Sequence, residues 1–227
     1  MSGHQKRIAL YGGTFDPVHT GHIAVAHSLI EAFALDEVLF IPASVAPHKR
    51  VVSVTPALHR YAMLALATQE VAGFRISTIE LDAPERPYTV ETLSHMQEAL
   101  GREAQVFFVM GADSWMEIMT WREWEQVLTM SNHIVVTRPG YQLSVEHVTP
   151  LIRERIIDLR GEGKEQAAQT IDKSDGTKIY VTDAVKMDVS ATAIRQAVRQ
   201  GRDLEWLNLV QPAVADYIRK YGLYKEA

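Results

Sequence analysis

The chain has no cysteine in 227 residues, which excludes a disulfide framework and any thiolate metal site. No apolar run approaches the roughly 20 residues needed to cross a bilayer. Residues 1–7, MSGHQKR, offer no apolar core of a signal peptide. A reducing cytoplasm is therefore the expected location, with no membrane partner. A basic excess is missing too, since the formal net charge is −5. That argues against a general nucleic-acid binder, whose phosphate contacts need a basic surface. It leaves room for a single nucleotide, which a few local cations can hold. The first glycine-rich turn matches neither G-x-G-x-x-G nor G-x-x-x-x-G-K-[ST], so the dinucleotide fingerprint and the P-loop are both absent there. Internal repeats and low-complexity tracts are lacking as well. What remains is ordinary for a soluble globular protein: 47% hydrophobic and 22% charged residues. The length suits one α/β domain, with or without a small appendage.

Short β-rich apolar runs alternate with helical patterns. The runs Arg7–Tyr11, Glu37–Pro42, Phe74–Thr78, Gln105–Met110, His133–Thr137 and Lys178–Val181 read as strands. The spacing predicts helices over Gly21–Phe33, Pro56–Glu70, Thr89–Leu100 and Ser114–Thr120, with a shorter piece at Trp124–Thr129. Such alternation implies a doubly wound parallel sheet covered on both faces. Ligands of such sheets bind outside the carboxyl ends of the strands. Three polar, glycine-containing loops fall at such ends: Gly12–His22, Met110–Asp113 and Thr137–Gly140. One site at one edge is the expectation. The segment 141–177 is highly charged and reads as a helix with a surface loop, inserted before the last strand. Ser190–Arg199 and Pro212–Arg219 read as terminal helices, with Pro212 suited to a first turn.

The densest motif is Gly12-Gly13-Thr14-Phe15-Asp16-Pro17-Val18-His19-Thr20-Gly21-His22. A glycine pair after a strand is by itself a tight turn. Here it leads into a helix whose N-terminus presents unpaired N–H groups and a positive dipole end, a natural seat for phosphate. His19 and His22, three residues apart, fall on one helix face. A zinc pair is the rival reading. Zinc hydrolase motifs place a glutamate base between the histidines, whereas Thr20 and Gly21 stand here. A glycine at that place points to close approach by a bulky group, so phosphate is the better guest. A second polar cluster, Ser190-Ala191-Thr192-Ala193-Ile194-Arg195, reads alone as a capped surface helix with a solvated arginine. Hydroxyls at a helix start plus an arginine equally form a phosphate clamp.

Together the two clusters resemble the nucleotidyltransferase superfamily of HIGH-motif adenylyl- and cytidylyltransferases. Within it, the first motif is similar to that of bacterial nicotinate-mononucleotide adenylyltransferases. Further matches are Pro47-His48-Lys49, Pro87-Tyr88-Thr89, Gly111-Ala112-Asp113-Ser114, Trp121 with Trp124, and Arg138-Pro139-Gly140. They run in family order from residue 8 to residue 195. The resemblance implies a single Rossmann-like nucleotidyltransferase domain over 1–227, with a charged insertion at 141–177 and a C-terminal helical part at 185–227. It implies ATP and nicotinate mononucleotide as substrates, magnesium accompanying ATP, and no nucleic-acid partner.

The resemblance also distributes roles. Gly12, Gly13, Thr14 and Phe15 form the turn that approaches the phosphates. His19 and His22 contact the ATP phosphates, with Ser190, Thr192 and Arg195 closing from the other side. His19, His22 and Arg195 are the catalytic set. Gly111 and Asp113 hold the nucleoside, Thr89 meets the nicotinate carboxylate, and Trp121 stacks on the pyridine ring. Lys49 and Arg138 are assigned to the acceptor phosphate or to closing the site. His48, Tyr88 and Trp124 are supporting or core residues. The departure from the family pattern is the long charged stretch 141–177, which stands open as a loop expansion, a homo-oligomer contact or a lid. Rival readings are a superfamily relative with another acceptor, such as nicotinamide mononucleotide, phosphopantetheine or glycerol 3-phosphate, and a nucleotide sensor without turnover.

Overall fold

The computed structural model describes residues 5–44, 54–83, 85, 87–101, 103–137, 140–183 and 189–225. The elements run β1 (Lys6–Gly13), α1 (Thr20–Phe33), β2 (Glu37–Pro42), α2 (Ala57–Thr68), β3 (Phe74–Ile76), α3 (Thr89–Leu100) and β4 (Ala104–Gly111). They continue with α4 (Ala112–Met116), a 3-10 turn at Ile118–Thr120, α5 (Trp124–Met130), β5 (Asn132–Val136), α6 (Pro150–Arg153), β6 (Ile156–Asp158), α7 (Lys164–Asp172) and β7 (Ile179–Thr182). The C-terminal part is α8 (Ala191–Arg199), α9 (Asp203–Trp206), a 3-10 turn at Leu207–Leu209 and α10 (Pro212–Lys220).

Alternation within near-continuous apolar strands makes both layers. In β1, Ile8 and Leu10 enter one core while Ala9 enters the other. In β4, Val106, Phe108 and Met110 face the first and Phe107 and Val109 the second. Period-2 side chains on a buried strand feed helices on both faces. One core takes Leu29 and Phe33 of α1, Met63 and Leu64 of α2, and Ile194 and Val214 from the C-terminal helices. The other takes Leu93 and Met96 of α3, Trp115 of α4 and Leu128 of α5.

The strands form one parallel sheet in the order β3-β2-β1-β4-β5-β7-β6. From β1 the chain winds outward to β3, then crosses through α3 to β4 on the other side of β1. The order therefore reverses between β1 and β4, whose carboxyl ends flank the crevice where doubly wound sheets bind ligands. The expected doubly wound α/β architecture is thus present. The segment 141–177 departs from its reading as a helix and a loop. It holds α6, α7 and an added edge strand, β6, paired with β7 from Ile156↔Ile179 to Asp158↔Val181. Its three residues, Ile156-Ile157-Asp158, show no alternation, so only the pairing reveals this strand. α7 packs across α1, where Arg7 of β1 pairs with Asp172.

Candidate active site

The second glycine of the pair that closes β1 has a steric reason. A Cβ on Gly13 would stand 2.9 Å from Phe15 Cζ, because the Phe15 ring folds back over that residue. Phe15 itself is buried with φ of +49°. That left-handed backbone costs a non-glycine residue about 1–2 kcal/mol, so the surroundings must hold it. Its ring meets His22 edge-on at 5.0 Å and also contacts Tyr11 and Phe40. Asp16 follows, buried, with its Oδ1 accepting from the Tyr224 hydroxyl at 2.8 Å and its Oδ2 from the Thr55 N–H at 3.2 Å.

His19 is the N-cap of α1 and His22 is its third helical residue. The His22 N–H donates to His19 Nδ1 at 3.4 Å, and the His19 N–H donates to His22 Nδ1 at 3.2 Å. The imidazoles do the work that Ser and Glu side chains do in an ordinary capping box. Their rings stack at 3.7 Å. Because each Nδ1 accepts a backbone N–H, the proton of each neutral ring sits on Nε2. Burial keeps the rings neutral: it lowers His19 to about 4, and lowers His22 well below the usual imidazole value, with repulsion from His19 adding to the effect. The pair therefore forms two donors that need no charge.

Gly21, between them, is tightly enclosed, so that a side chain there would push on its neighbours. A Cβ there would lie 3.1 Å from His19 Nδ1 and 3.3 Å from Val189 Cβ. The bulky neighbours at this glycine are thus protein groups, the His19 ring and the residue leading into α8. Two helix starts are brought together in this way. At the second, Ser190 caps α8 by accepting the Ala193 N–H at 3.4 Å. Arg195 donates from Nη1 to the Asp16 carbonyl at 2.7 Å and from Nη2 to Thr192 Oγ1 at 3.2 Å. Ser190 and Thr192 are exposed and Arg195 is half-buried.

A cavity of about 440 Å³ lies at the switch point, lined by His19, Gly21, His22, Gly111, Asp113, Thr137 and Val189 together with apolar groups. All three loops predicted to share one edge contribute to it. Tyr11, Val25, Val109, Val136 and Tyr141 also line it, and sequence reasoning missed them because apolar walls read as core. Gly12, Gly13, Thr14 and Phe15 are not among the residues that line it. Thr89, the first residue of α3, and Trp121, which packs edge-on against Phe108 at 6.2 Å, lie outside the cavity. Their chain neighbours Tyr88 and Arg122 line a second hollow of about 390 Å³, with the guanidinium 4.7 Å from the Tyr88 ring centre. Lys49 and Arg138, with Pro47, His48, Pro139 and Asp188, fall outside the described residues.

Among the described residues no three His, Asp or Glu side chains gather to hold a metal. Among the described residues that line the cavity, Asp113, exposed, is the one carboxylate. Such a lining suits a cation that arrives on phosphate oxygens and keeps its waters, as magnesium does.

Comparison with known proteins places this geometry in a family. Residues 10–197 match the cytidylyltransferase-like family. A probable nicotinate-nucleotide adenylyltransferase of Thermoanaerobacter sp. (strain X514) is 36% identical, over 98% of this chain and 96% of its own length. Its counterpart in Desulfatibacillum aliphaticivorans is 35% identical, over 96% of this chain and 99% of its own. In fold, the chain is similar to the Plasmodium falciparum nicotinic acid mononucleotide adenylyltransferase complexed with NaAD. That match has a TM-score of 0.70 and 20% identity, and covers 96% of this chain and 97% of the other. The chain belongs to the cytidylyltransferase-like family and, within it, to the nicotinate-nucleotide adenylyltransferases.

Proposed function

We propose that the chain transfers the adenylyl group of ATP to nicotinate mononucleotide, giving deamido-NAD and pyrophosphate, a step of NAD biosynthesis. The observation that carries this reading is the stacked pair His19 and His22 beside the switch-point cavity, each ring tied at Nδ1 and left with a donor at Nε2. The names of the relatives support the choice of acceptor, and the Plasmodium neighbour is a complex with NaAD, the deamido product.

In this reaction a phosphate oxygen of the acceptor attacks the α-phosphorus of ATP. One P–O bond forms and the bond from that phosphorus to the bridging oxygen breaks, its electron pair leaving with pyrophosphate. The attacking phosphate is already ionised at neutral pH, so no general base is needed. Positioning and charge stabilisation carry the catalysis. His19 and His22 donate to the triphosphate oxygens, and the growing charge there draws the rings toward their protonated form. Arg195, with Ser190 and Thr192, closes over the phosphates from α8. Arg195 keeps N–H groups in reserve beyond those given to Asp16 and Thr192, since guanidinium has five. Gly111 and Asp113 hold the nucleoside. Thr89 receives the nicotinate carboxylate at the start of α3, Trp121 stacks on the pyridine ring, and Lys49 and Arg138 serve the acceptor phosphate. Magnesium would arrive on the triphosphate oxygens and would neutralise their charge there, with Asp113 the carboxylate of the described cavity lining.

Side-by-side coupled assays with ATP and either nicotinate or nicotinamide mononucleotide test the reading. The acid mononucleotide is expected to give pyrophosphate and dinucleotide at the higher kcat/KM. A clear amide preference overturns the acceptor assignment. Nucleotide binding without pyrophosphate release from either acceptor overturns the enzyme assignment in favour of a sensor.

A further inference from the structure

Arg60 is the anomaly of α2. It stands in the run ALHRYAMLALAT, on the face that also buries Met63, Leu64 and Ala67. Only 1% of its surface is exposed. Arginine is almost never that deep without partners, and its partners here are main-chain carbonyls. Nη1 donates to Thr14 O at 2.7 Å, and Nε donates to Thr55 O at 2.9 Å. Nη2 donates to Ala43 O at 2.7 Å and to Ser44 O at 3.2 Å. One planar head thus joins three separate segments: the turn after β1, the exit of β2 and the lead into α2. Burial lowers the guanidinium's pKa, and the nearby Asp16 carboxylate works against that loss of charge.

The contact with Thr14 has a consequence at the histidines. A trans peptide is rigid, and its N–H points opposite to its carbonyl. Holding Thr14 O therefore fixes the plane entering Phe15, the residue kept at φ of +49°. The Phe15 ring then lies over Gly13 and against the His22 ring, and His22 stacks on His19. From the guanidinium to the donor pair the path is one peptide and one aromatic ring.

We propose that Arg60 is a positioning residue for adenylyl transfer, which sets the orientation of His22, and through it His19, by clamping the Thr14 carbonyl so that Phe15 keeps its left-handed backbone and its ring against His22. The inference rests on the adenylyl-transfer reading of the cavity. Lysine cannot replace this function, since its donors radiate from one point and cannot span three segments.

The test uses the full chain with Arg60→Met and Arg60→Lys, read by kcat and KM for ATP, melting temperature, and ¹H–¹⁵N correlations of the histidine rings in the free protein. Arg60→Met is expected to lower kcat at least tenfold while the ATP KM changes less than threefold. The His22 ring signals are expected to move from the pattern of a single Nε2–H tautomer toward a mixture. Arg60→Lys is expected to change both in the same direction by less. Ile171→Val in α7, a remote core change, serves as the control and should keep wild-type kcat despite a lower melting temperature. Should Arg60→Met not fold, Arg60→Lys carries the test. Folded variants with wild-type kcat and unchanged histidine signals overturn the proposal, as does an equal kcat loss in the control. The ring signals are read without substrate, so they judge the clamp even where the acceptor assignment fails.

Discussion

Two helix starts meet at the cavity, and they are built by opposite means. The start of α1 is largely enclosed, with His19 buried and His22 partly so, and its capping groups are themselves the proposed phosphate donors, locked by reciprocal bonds at Nδ1. The start of α8 is exposed and capped by one long serine contact, with Thr192 and Arg195 as its polar groups. Arg195 rests on the Asp16 carbonyl, so the exposed start leans on the turn that serves the buried one. The contrast teaches that the preorganised part of the site is the α1 side. Donors fixed before substrate arrives need no reorganisation during reaction, whereas exposed side chains must be ordered on binding.

Acid should break the buried side first, and by the most. His19 is lowered to about 4, and so is His133, which is buried in β5 beside β4. In the unfolded chain both titrate near 6.5. Between these values the unfolded chain binds more protons, so stability is complete above about pH 6.5 and is lost as pH falls toward 4. Each such shift corresponds to on the order of 3 kcal/mol, and His22 adds to it in the same direction. Urea midpoints measured from pH 7.5 down to 4.5 should therefore fall steeply, above the range where ordinary carboxylates dominate. A flat profile over that window would show that these rings are not held neutral.

Substitution should expose the same asymmetry in catalysis. His22→Ala is expected to cut turnover roughly a hundredfold or more, a loss near 2.7 kcal/mol, with the fold intact. Thr192→Ala, at the exposed start, should cost less than tenfold and act mainly through the ATP KM. Steady-state kinetics on folded variants decide the matter. Equal losses at the two positions erase the distinction between a locked and an adaptable side.

Much of this contrast is written in the sequence, but unevenly. Glu37–Pro42 is found where its continuous apolar run put it, and Thr89–Leu100 where the helical spacing put it, because the first is buried on both faces and the second on one. The pairing of residues 12–22 with 190–195 was legible through the family resemblance, since the second set read alone is a capped surface helix. The strand β6 was not, because three residues among charges become a strand only through β7. Nor was histidine capping, because the usual cap residues are Ser, Thr, Asp and Asn. Arg60 left a faint signal, a lone charge on the apolar face of α2. Its acceptors are main-chain carbonyls, which every residue carries and no sequence distinguishes. Val136 and Tyr141 line the cavity, yet in the sequence the first looks like strand core and the second like the start of the charged segment.

The smallest effect tests the exposed side alone. Ser190 Oγ receives the Ala193 N–H at 3.4 Å in full contact with water, a cap at the weak end of its kind. Ser190→Ala should cost about 0.5–1 kcal/mol of stability, which for a chain of this length lowers the melting temperature by about 1–4 °C. If the hydroxyl also reaches the phosphates, the ATP KM rises severalfold while kcat stays within about threefold. Isothermal titration with a non-hydrolysable ATP analogue separates the two contributions, because cap loss alone leaves affinity nearly unchanged. A kcat loss as large as that of His22→Ala would place Ser190 among the locked groups. The α8 start would then be preorganised despite its exposure, and burial would no longer be what distinguishes the two sides of the clamp.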